Sequence, residues 1–268
     1  MRLVIVGASG RMGLAITRAA QQWPQAQIVA AVDHPSAPAV GQDIGQLAGL
    51  EPLGIQVTTD LKAALEKSDV MIDFSSPRAT AVNLAACAEQ GVAALVGTTG
   101  LSLDAERAAD LAAKRVPILL AANTSLGVTL LAELVRAAAH ALPAEFEIEI
   151  HEAHHRDKKD SPSGTALALG RAAAQGRETI FEKVAVSSRV DQKVRGSDEI
   201  GFSVVRGGDV VGDHSVMFLG AGERVVLSHQ ATDRAIFARG ALQGAQWLQG
   251  KPAGRYAMSE VIGFKPIN

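Results

Sequence analysis

Cysteine is nearly absent from this chain: Cys87 is the single thiol in 268 residues. A lone cysteine excludes an internal disulfide framework and fits a reducing compartment. Its setting, Ala85-Ala86-Cys87-Ala88, reads as a small packed helix position rather than a reactive one. An excess of either charge is also missing, because 26 Lys and Arg against 28 Asp and Glu leave −2. A nucleic-acid or membrane-surface protein would usually be basic, so neither partner is expected. No apolar run approaches the roughly 18 residues of a membrane span. Leu3–Val6 is too short for the apolar part of a signal peptide and leads straight into Gly7. These absences point to a cytoplasmic protein. Internal repeats are missing too, and the only biased stretches are Ala-rich helices.

What is present suits a packed protein. Hydrophobic residues make up 47% of the chain, ample for a core, and the length allows one large domain or two modest ones. The first half alternates short apolar strands with helices. Strands are expected at Leu3–Val6, Ile28–Val32, Val70–Phe74, Ala93–Val96 and Pro117–Ala121. Helices are expected over Leu14–Gln22, Ala79–Gln90 and Leu103–Lys114. Continuous apolar strands of this kind are buried on both faces, so the pattern predicts a doubly wound parallel sheet. Ligands in such sheets bind beyond the carboxyl ends of the strands, where Gly7, Asp33, Ser75, Gly97 and Asn123 fall.

The first of these ends reads Gly7-Ala8-Ser9-Gly10-Arg11-Met12-Gly13. Glycines at strand end, turn and helix start permit a tight turn and close approach of a pyrophosphate, and the helix start offers amides to phosphate. The spacing is G-x-x-G-x-x-G, a variant of the dinucleotide fingerprint, and a plain glycine turn is the competing reading. Asp33 ends the second strand, where a carboxylate would accept from an adenosine ribose and repel a 2′-phosphate. His34 and Arg11 could offset that repulsion, so NADH is favoured and NADPH tolerated. The alternative is that Asp33 merely opens the Asp-His-Pro turn. Gly97-Thr98-Thr99-Gly100 could approach the nicotinamide end, or be an ordinary strand-to-helix turn.

After Asn123 the character changes. A long helix is expected over Leu126–Ala141, then Glu145–Glu152 alternates acid and apolar residues with the period of a half-buried strand. Lys183–Arg189, Gly201–Arg206, Ser215–Leu219 and Glu223–Ser228 read as further strands of an open mixed or antiparallel sheet. A final helix, Ala235–Leu248, is expected to return to the first domain. The domains are therefore 1–125 with 235–268, and 126–234, with a hinge near Ser125–Gly127 and near Asp233.

Between the alternating strand and the next helix lies the densest run of chemistry, Glu152-Ala153-His154-His155-Arg156-Asp157-Lys158-Lys159-Asp160-Ser161-Pro162-Ser163-Gly164-Thr165. It joins proton carriers and cations to a helix start, with Ser163 as cap and Ala166–Ala174 propagating the helix. The amides of Gly164 and Thr165, with the Thr165 hydroxyl, suit a carboxylate. Solvated loop residues and simple self-capping by Ser163 are the bland alternatives. His151-Glu152-Ala153-His154-His155 also spells the zinc pattern H-E-x-x-H, which needs a helix to put both histidines on one face. A strand cannot do so, and no metal is expected.

These motifs, GASGRMG at Gly7–Gly13, GTTG at Gly97–Gly100, the Asn123 region and EAHHRDKKDSPSGT at Glu152–Thr165, resemble the dihydrodipicolinate reductase family of bacterial lysine and diaminopimelate synthesis. The resemblance spans essentially the whole chain. It implies a Rossmann-like cofactor domain and a smaller α+β domain with a mixed open sheet for substrate binding and homotetramer assembly. It implies hydride transfer from NADH or NADPH to a cyclic imine dicarboxylate. Gly7, Ala8, Ser9, Gly10, Arg11 and Met12 match the pyrophosphate loop, Asp33 the ribose contact, and His34 a position where some members carry a basic residue for a 2′-phosphate. Gly97, Thr98 and Thr99, and Ala121, Ala122, Asn123 and Thr124, match cofactor loops near the nicotinamide. His154 matches the proton donor and acceptor, Lys158 a second proton donor, and His155, Gly164 and Thr165 substrate-binding positions. Another two-domain dehydrogenase, for instance of an amino-acid semialdehyde, and a non-catalytic NAD(H) sensor remain the rival readings.

Overall fold

A computed structural model describes residues 1–188 and 194–264. The chain divides into two compact units, Met1–Ser125 with Ala235–Val261, and Leu126–Arg234 with residues 262–264.

In the first unit β1 (Arg2–Val6), α1 (Arg11–Ala20), β2 (Gln27–Val32), α2 (Ile44–Leu47), β3 (Val57–Thr58), α3 (Leu61–Leu65), β4 (Val70–Asp73), α4 (Pro77–Gln90), β5 (Ala93–Val96), α5 (Leu103–Ala112) and β6 (Pro117–Leu120) follow one another. The second unit contributes α6 (Leu126–Ala141), β7 (Glu147–His154), α7 (Gly164–Gly176), α8 (Phe181–Val184), β8 (Ala185–Val186), β9 (Ile200–Arg206), β10 (Gly212–Gly220) and β11 (Glu223–Ala231). The chain then returns to the first unit with α9 (Ala235–Leu248), β12 (Gly254–Tyr256) and α10 (Met258–Val261).

The first sheet has the order β12-β6-β5-β4-β1-β2-β3, and its pairings are parallel. Strand parity builds its two cores. Leu3, Ile5, Ile72, Leu95 and Leu119 point to one face, where Ile16 of α1 and Ala238, Ala241, Leu242, Ala245 and Leu248 of α9 cover them. Val4, Val6, Met71, Ala94, Val96 and Ile118 point to the other, under Leu84 and Cys87 of α4 and Ala109 and Ala112 of α5. Cover on both faces explains why these strands read as unbroken apolar runs. Cys87 is fully buried against Met71, and burial pushes its thiol above the ordinary range, as the packed-helix reading requires.

The second sheet runs β11-β10-β7-β9-β8 and is mixed: β7 pairs parallel with β9 and antiparallel with β10. One face is apolar. Ile148, Ile150, Ile200, Val216 and Phe218 pack against Leu131 and Val135 of α6 and Leu169 and Ala173 of α7.

Three expectations need correction. Lys183–Arg189 is not one strand. Phe181 and Val184 turn inward on the short helix α8, and only Ala185–Val186 pairs with β9; Arg189 lies outside the described residues. β7 starts at Glu147 and extends to His154, so the alternation carries two residues further than Glu152. Residues 262–264 group with the second unit rather than the first.

α9 seats on the first unit through a close approach. A Cβ on Gly240 would stand 1.8 Å from the carbonyl oxygen of Thr124. Helix propensity alone favours alanine over glycine by up to about 1 kcal/mol. The overlap reverses that sign, so Gly240→Ala is expected to lower stability by about 1–3 kcal/mol in denaturant unfolding. A variant as stable as the parent would contradict this seating.

Candidate active site

In the first unit the glycine loop is held from below. The amides of Gly7 and Ala8 both donate to the carbonyl of Val32, at 3.0 and 3.1 Å. Gly7 has φ +74°, and a Cβ there would meet the carbonyl oxygen of Phe74 at 2.5 Å, so only glycine fits. A Cβ on Gly13 would lie 2.3 Å from the carbonyl oxygen of Ala8, so the first turn of α1 presses directly on the loop. Gly10 is the N-cap and offers no side-chain cap to the amides behind it. This donor set fits a phosphate, which would stand where the side-chain cap is missing. Arg11 is exposed, whereas Met12 packs into the core.

Asp33 is engaged with that loop. Its Oδ2 accepts from the amide and hydroxyl of Ser9 at 2.8 and 2.6 Å, and Oδ1 accepts from the amide of His34. The His34 ring is exposed and bonded to Ser36. Gly97 lies under the ring of Phe74. Thr98 is buried with its hydroxyl 3.3 Å from Asp73, while Thr99 is exposed. Ala121 is buried and Ala122 exposed; Asn123 accepts from the amide of Ser125, and Thr124 spends its hydroxyl on the carbonyl of Phe237 at 2.7 Å. Thr98 and Thr124 thus support their loops from within. Asp73, fully buried at the end of β4 and bonded to Ser75 and Asn83, organises the neighbouring loop and has no motif to announce it.

The second unit gathers the histidine segment. Along β7 the residues facing the covered side are Ile148, Ile150, Glu152 and His154. Parity therefore carries an acid and a histidine onto the face that its isoleucines occupy. Glu152 is fully buried, and every hydrogen bond it needs is present. Oε1 accepts from the amide of Ser163 at 3.0 Å and from Arg206 at 2.8 Å. Oε2 accepts from Arg206 at 2.8 Å and faces Nδ1 of His154 at 2.5 Å. Burial opposes ionisation of Glu152, but Arg206, His154 and the Ser163 amide outweigh it and hold its carboxyl below the usual range.

His154 is locked on three sides. Nδ1 is taken by Glu152, the ring of His214 packs against it edge-on at 5.0 Å, and Nε2 lies beside Gly212, where a Cβ would come within 3.0 Å. Its side chain keeps a tenth of its surface open. Burial pushes His154 below the ordinary histidine value against the pull of Glu152, and the charges of Lys158 and Arg206 act in the same direction as burial.

The loop after β7 is fixed to the β9–β10 turn: Gly207 donates to the carbonyl of His154, and His155 donates to that of Val210. The His155 ring lies 2.9 Å from a guanidinium nitrogen of Arg234. Lys158 forks onto both oxygens of Asp160 at 2.8 Å, and that ammonium holds the Asp160 carboxyl low. Ser163 caps α7 by accepting from the amide of Ala166, and its hydroxyl is 3.0 Å from Nε2 of His214. A Cβ on Gly164 would point into open space, and Thr165 follows, half-buried, on the first turn.

His151 bonds to Ser203 within the sheet, whereas His155 lies beyond the end of β7 against Arg234, so the two histidines of the H-E-x-x-H spelling have separate partners and no helix aligns them. Glu152, His154 and His214 do bring ligand-type atoms within 4.8 Å of one another. The bidentate guanidinium of Arg206 already neutralises the carboxylate of that set, so the cluster is poorly suited to a cation.

Arg206, His214 and Arg234 were not foreseen from sequence. They lie 54, 51 and 79 residues from the partners they bind; strand pairing with β7 places Arg206 and His214, and Arg234 arrives on the turn between β11 and α9.

Residues 1–124 match the family described as dihydrodipicolinate reductase, N-terminus, and residues 127–262 match its C-terminus. The chain belongs to the dihydrodipicolinate reductase family. Within it, a 4-hydroxy-tetrahydrodipicolinate reductase of Chromohalobacter salexigens is 46% identical over 98% of this chain and 99% of its own length. Another of that name, from Alkalilimnicola ehrlichii, is 46% identical over the same shares. Among solved structures, the dipicolinate-bound dihydrodipicolinate reductase of Paenisporosarcina sp. TG-14 shares the fold with a TM-score of 0.77 at 22% identity, covering 97% of this chain and 98% of that one.

Burial brings His214 down from 6.5 to about 4, with His154 adding to the effect. Between those values the unfolded chain binds a proton that the folded chain refuses. Stability is therefore expected to fall as pH drops from 6.5 toward 4, by about 3 kcal/mol from this residue. Denaturant unfolding across that window should show a flatter slope in His214→Gln; an unchanged slope would remove His214 as the cause.

Proposed function

We propose that the chain reduces 4-hydroxy-tetrahydrodipicolinate to tetrahydrodipicolinate with a nicotinamide cofactor. Family membership over both halves supports the activity. The observation that carries the chemistry is the Glu152-bound His154 a few residues from the open start of α7.

The unit holding β1 is the dinucleotide-binding domain. Gly7–Met12 hold the pyrophosphate, and Asp33, already bracing Ser9, keeps acceptor capacity for a ribose hydroxyl. Gly97, Thr98 and Thr99, and Ala121–Thr124, line the nicotinamide end mainly through backbone. When bound, the cofactor supplies a hydride to ring C4 of the substrate.

The unit holding β7 is the substrate domain. Loss of the 4-hydroxyl as water leaves a conjugated cyclic imine. As C4 gains hydride, electron density moves toward the ring nitrogen and its carboxylate, and C3 takes a proton. His154 carries that proton. Lys158 stabilises the developing negative charge and serves as second donor, exchanging its bond to Asp160 for the substrate. His155 and the Gly164–Thr165 start of α7 hold the carboxylates. The open face of the five-stranded sheet is the surface for homotetramer assembly, in the cytoplasm.

His154→Ala is expected to lower kcat about a hundredfold while changing KM much less, measured as loss of nicotinamide absorbance with the condensing synthase supplying substrate. Unchanged turnover would remove His154 from the step. Absence of turnover by the parent chain would favour a semialdehyde dehydrogenase or a sensor instead. Asp33→Ala is expected to weaken NADH and shift the preference toward NADPH. An unmoved ratio of kcat/KM for the two cofactors would place Asp33 away from the ribose.

A further inference from the structure

We propose that Glu152 is the positioning residue of this site: one buried carboxylate sets the tautomer of His154 and, through the Ser163 amide, the seat of the carboxylate-binding helix start. The proposal rests on His154 being the proton carrier described above.

The geometry allows the carboxylate little freedom. Its two oxygens receive four hydrogen bonds: one from the Ser163 amide, two from Arg206, and one from Nδ1 of His154. Arg206 is itself fixed, because it also donates to the carbonyls of Val205 and Asp160 at 2.8 Å. With its ion pair to Arg206, Glu152 is ionised, and an ionised carboxylate can only accept. The His154 proton must then sit on Nδ1, which directs the Nε2 lone pair away from Glu152, beside Gly212. The same carboxylate anchors the N-cap of α7, whose hydroxyl meets His214, and His214 packs on His154. Ring and helix start therefore hang from one group.

Glutamine fills the same volume but cannot accept four bonds. If its oxygen keeps the Ser163 amide, its NH2 faces His154 and must donate to Nδ1, moving the ring proton to Nε2. Glu152→Gln is expected to lower kcat tenfold or more, to raise KM for the substrate, and to leave KM for the cofactor unchanged. Without the carboxylate, the groups still facing His154 are Arg206 on β9, His214 on β10 and Lys158 in the next loop. The alkaline limb of the kcat profile, where His154 loses the proton it must donate, should therefore move to lower pH. Glu152→Asp restores the charge and should recover part of kcat.

The test pairs those rates with 15N NMR of histidine-labelled protein, with His154 assigned through His154→Gln. The expected result is Nδ1–H in the parent and in Glu152→Asp, and Nε2–H in Glu152→Gln. Nε2–H in the parent would overturn the proposal. So would a Glu152→Gln enzyme whose kcat, KM and pH profile stay within twofold. If Glu152→Gln does not fold, the parent spectrum and Glu152→Asp still decide. Failure of the parent to turn over substrate would count against the reductase reading alone, because the tautomer is measured without catalysis.

Discussion

The second unit is organised around a carboxylate taken out of water. Removing one partner from a buried ion pair costs roughly 3–5 kcal/mol, because the other charge is left uncompensated. Glu152, wholly enclosed, and Arg206 therefore depend on each other, and the surrounding backbone must keep both in place. That obligation brings β7, β9, the Lys158 loop and the start of α7 together at one point. The proposed proton chemistry would use the same point. A histidine bound to a fixed acceptor has one nitrogen committed and one available, which suits a proton carrier better than a freely turning ring.

The first unit meets a different demand with different means. Its loops are shaped chiefly by absent side chains, with the buried Asp73 bracing the loop after β4. Gly7 and Gly13 leave no room for a Cβ beneath the loop. Ser9 and Asp33 fasten it to the end of β2. Thr98 and Thr124 turn inward as struts that brace their loops.

Much of this was legible in the sequence, for physical reasons that also mark where legibility stops. β1, β2, β4, β5 and β6 read clearly because cover on both faces demands unbroken apolar runs. β3 and β12 did not, since two or three residues at a sheet edge carry no such demand. The stretch at Lys183–Arg189 misled because Phe181 and Val184 are buried from a short helix, which apolar spacing over so few residues cannot distinguish from a strand. Glu152–Thr165 announced itself by density of function. Glu152 falls in phase with Ile148 and Ile150, and its role follows from partners that only the fold supplies, Arg206 and the Ser163 amide. Arg206 and His214 had no local signature, because antiparallel and parallel pairing with β7 alone makes them neighbours of His154.

The return of α9 to the first unit affects how the chain is made. Five of its residues, from Ala238 to Leu248, cover one side of the first sheet. During synthesis that cover emerges late, after every strand and helix named for the second unit. Until it arrives, the face of Leu3, Ile5, Ile72 and Leu95 lacks α9's share of its cover, the kind of exposed apolar surface that drives aggregation of incomplete chains. The second unit has no such dependence on late sequence for α6, α7 and their sheet. A chain released before Ala235 would thus keep Glu152, Arg206, His154 and His214 together in one unit while a face of the other sheet lacked its α9 cover.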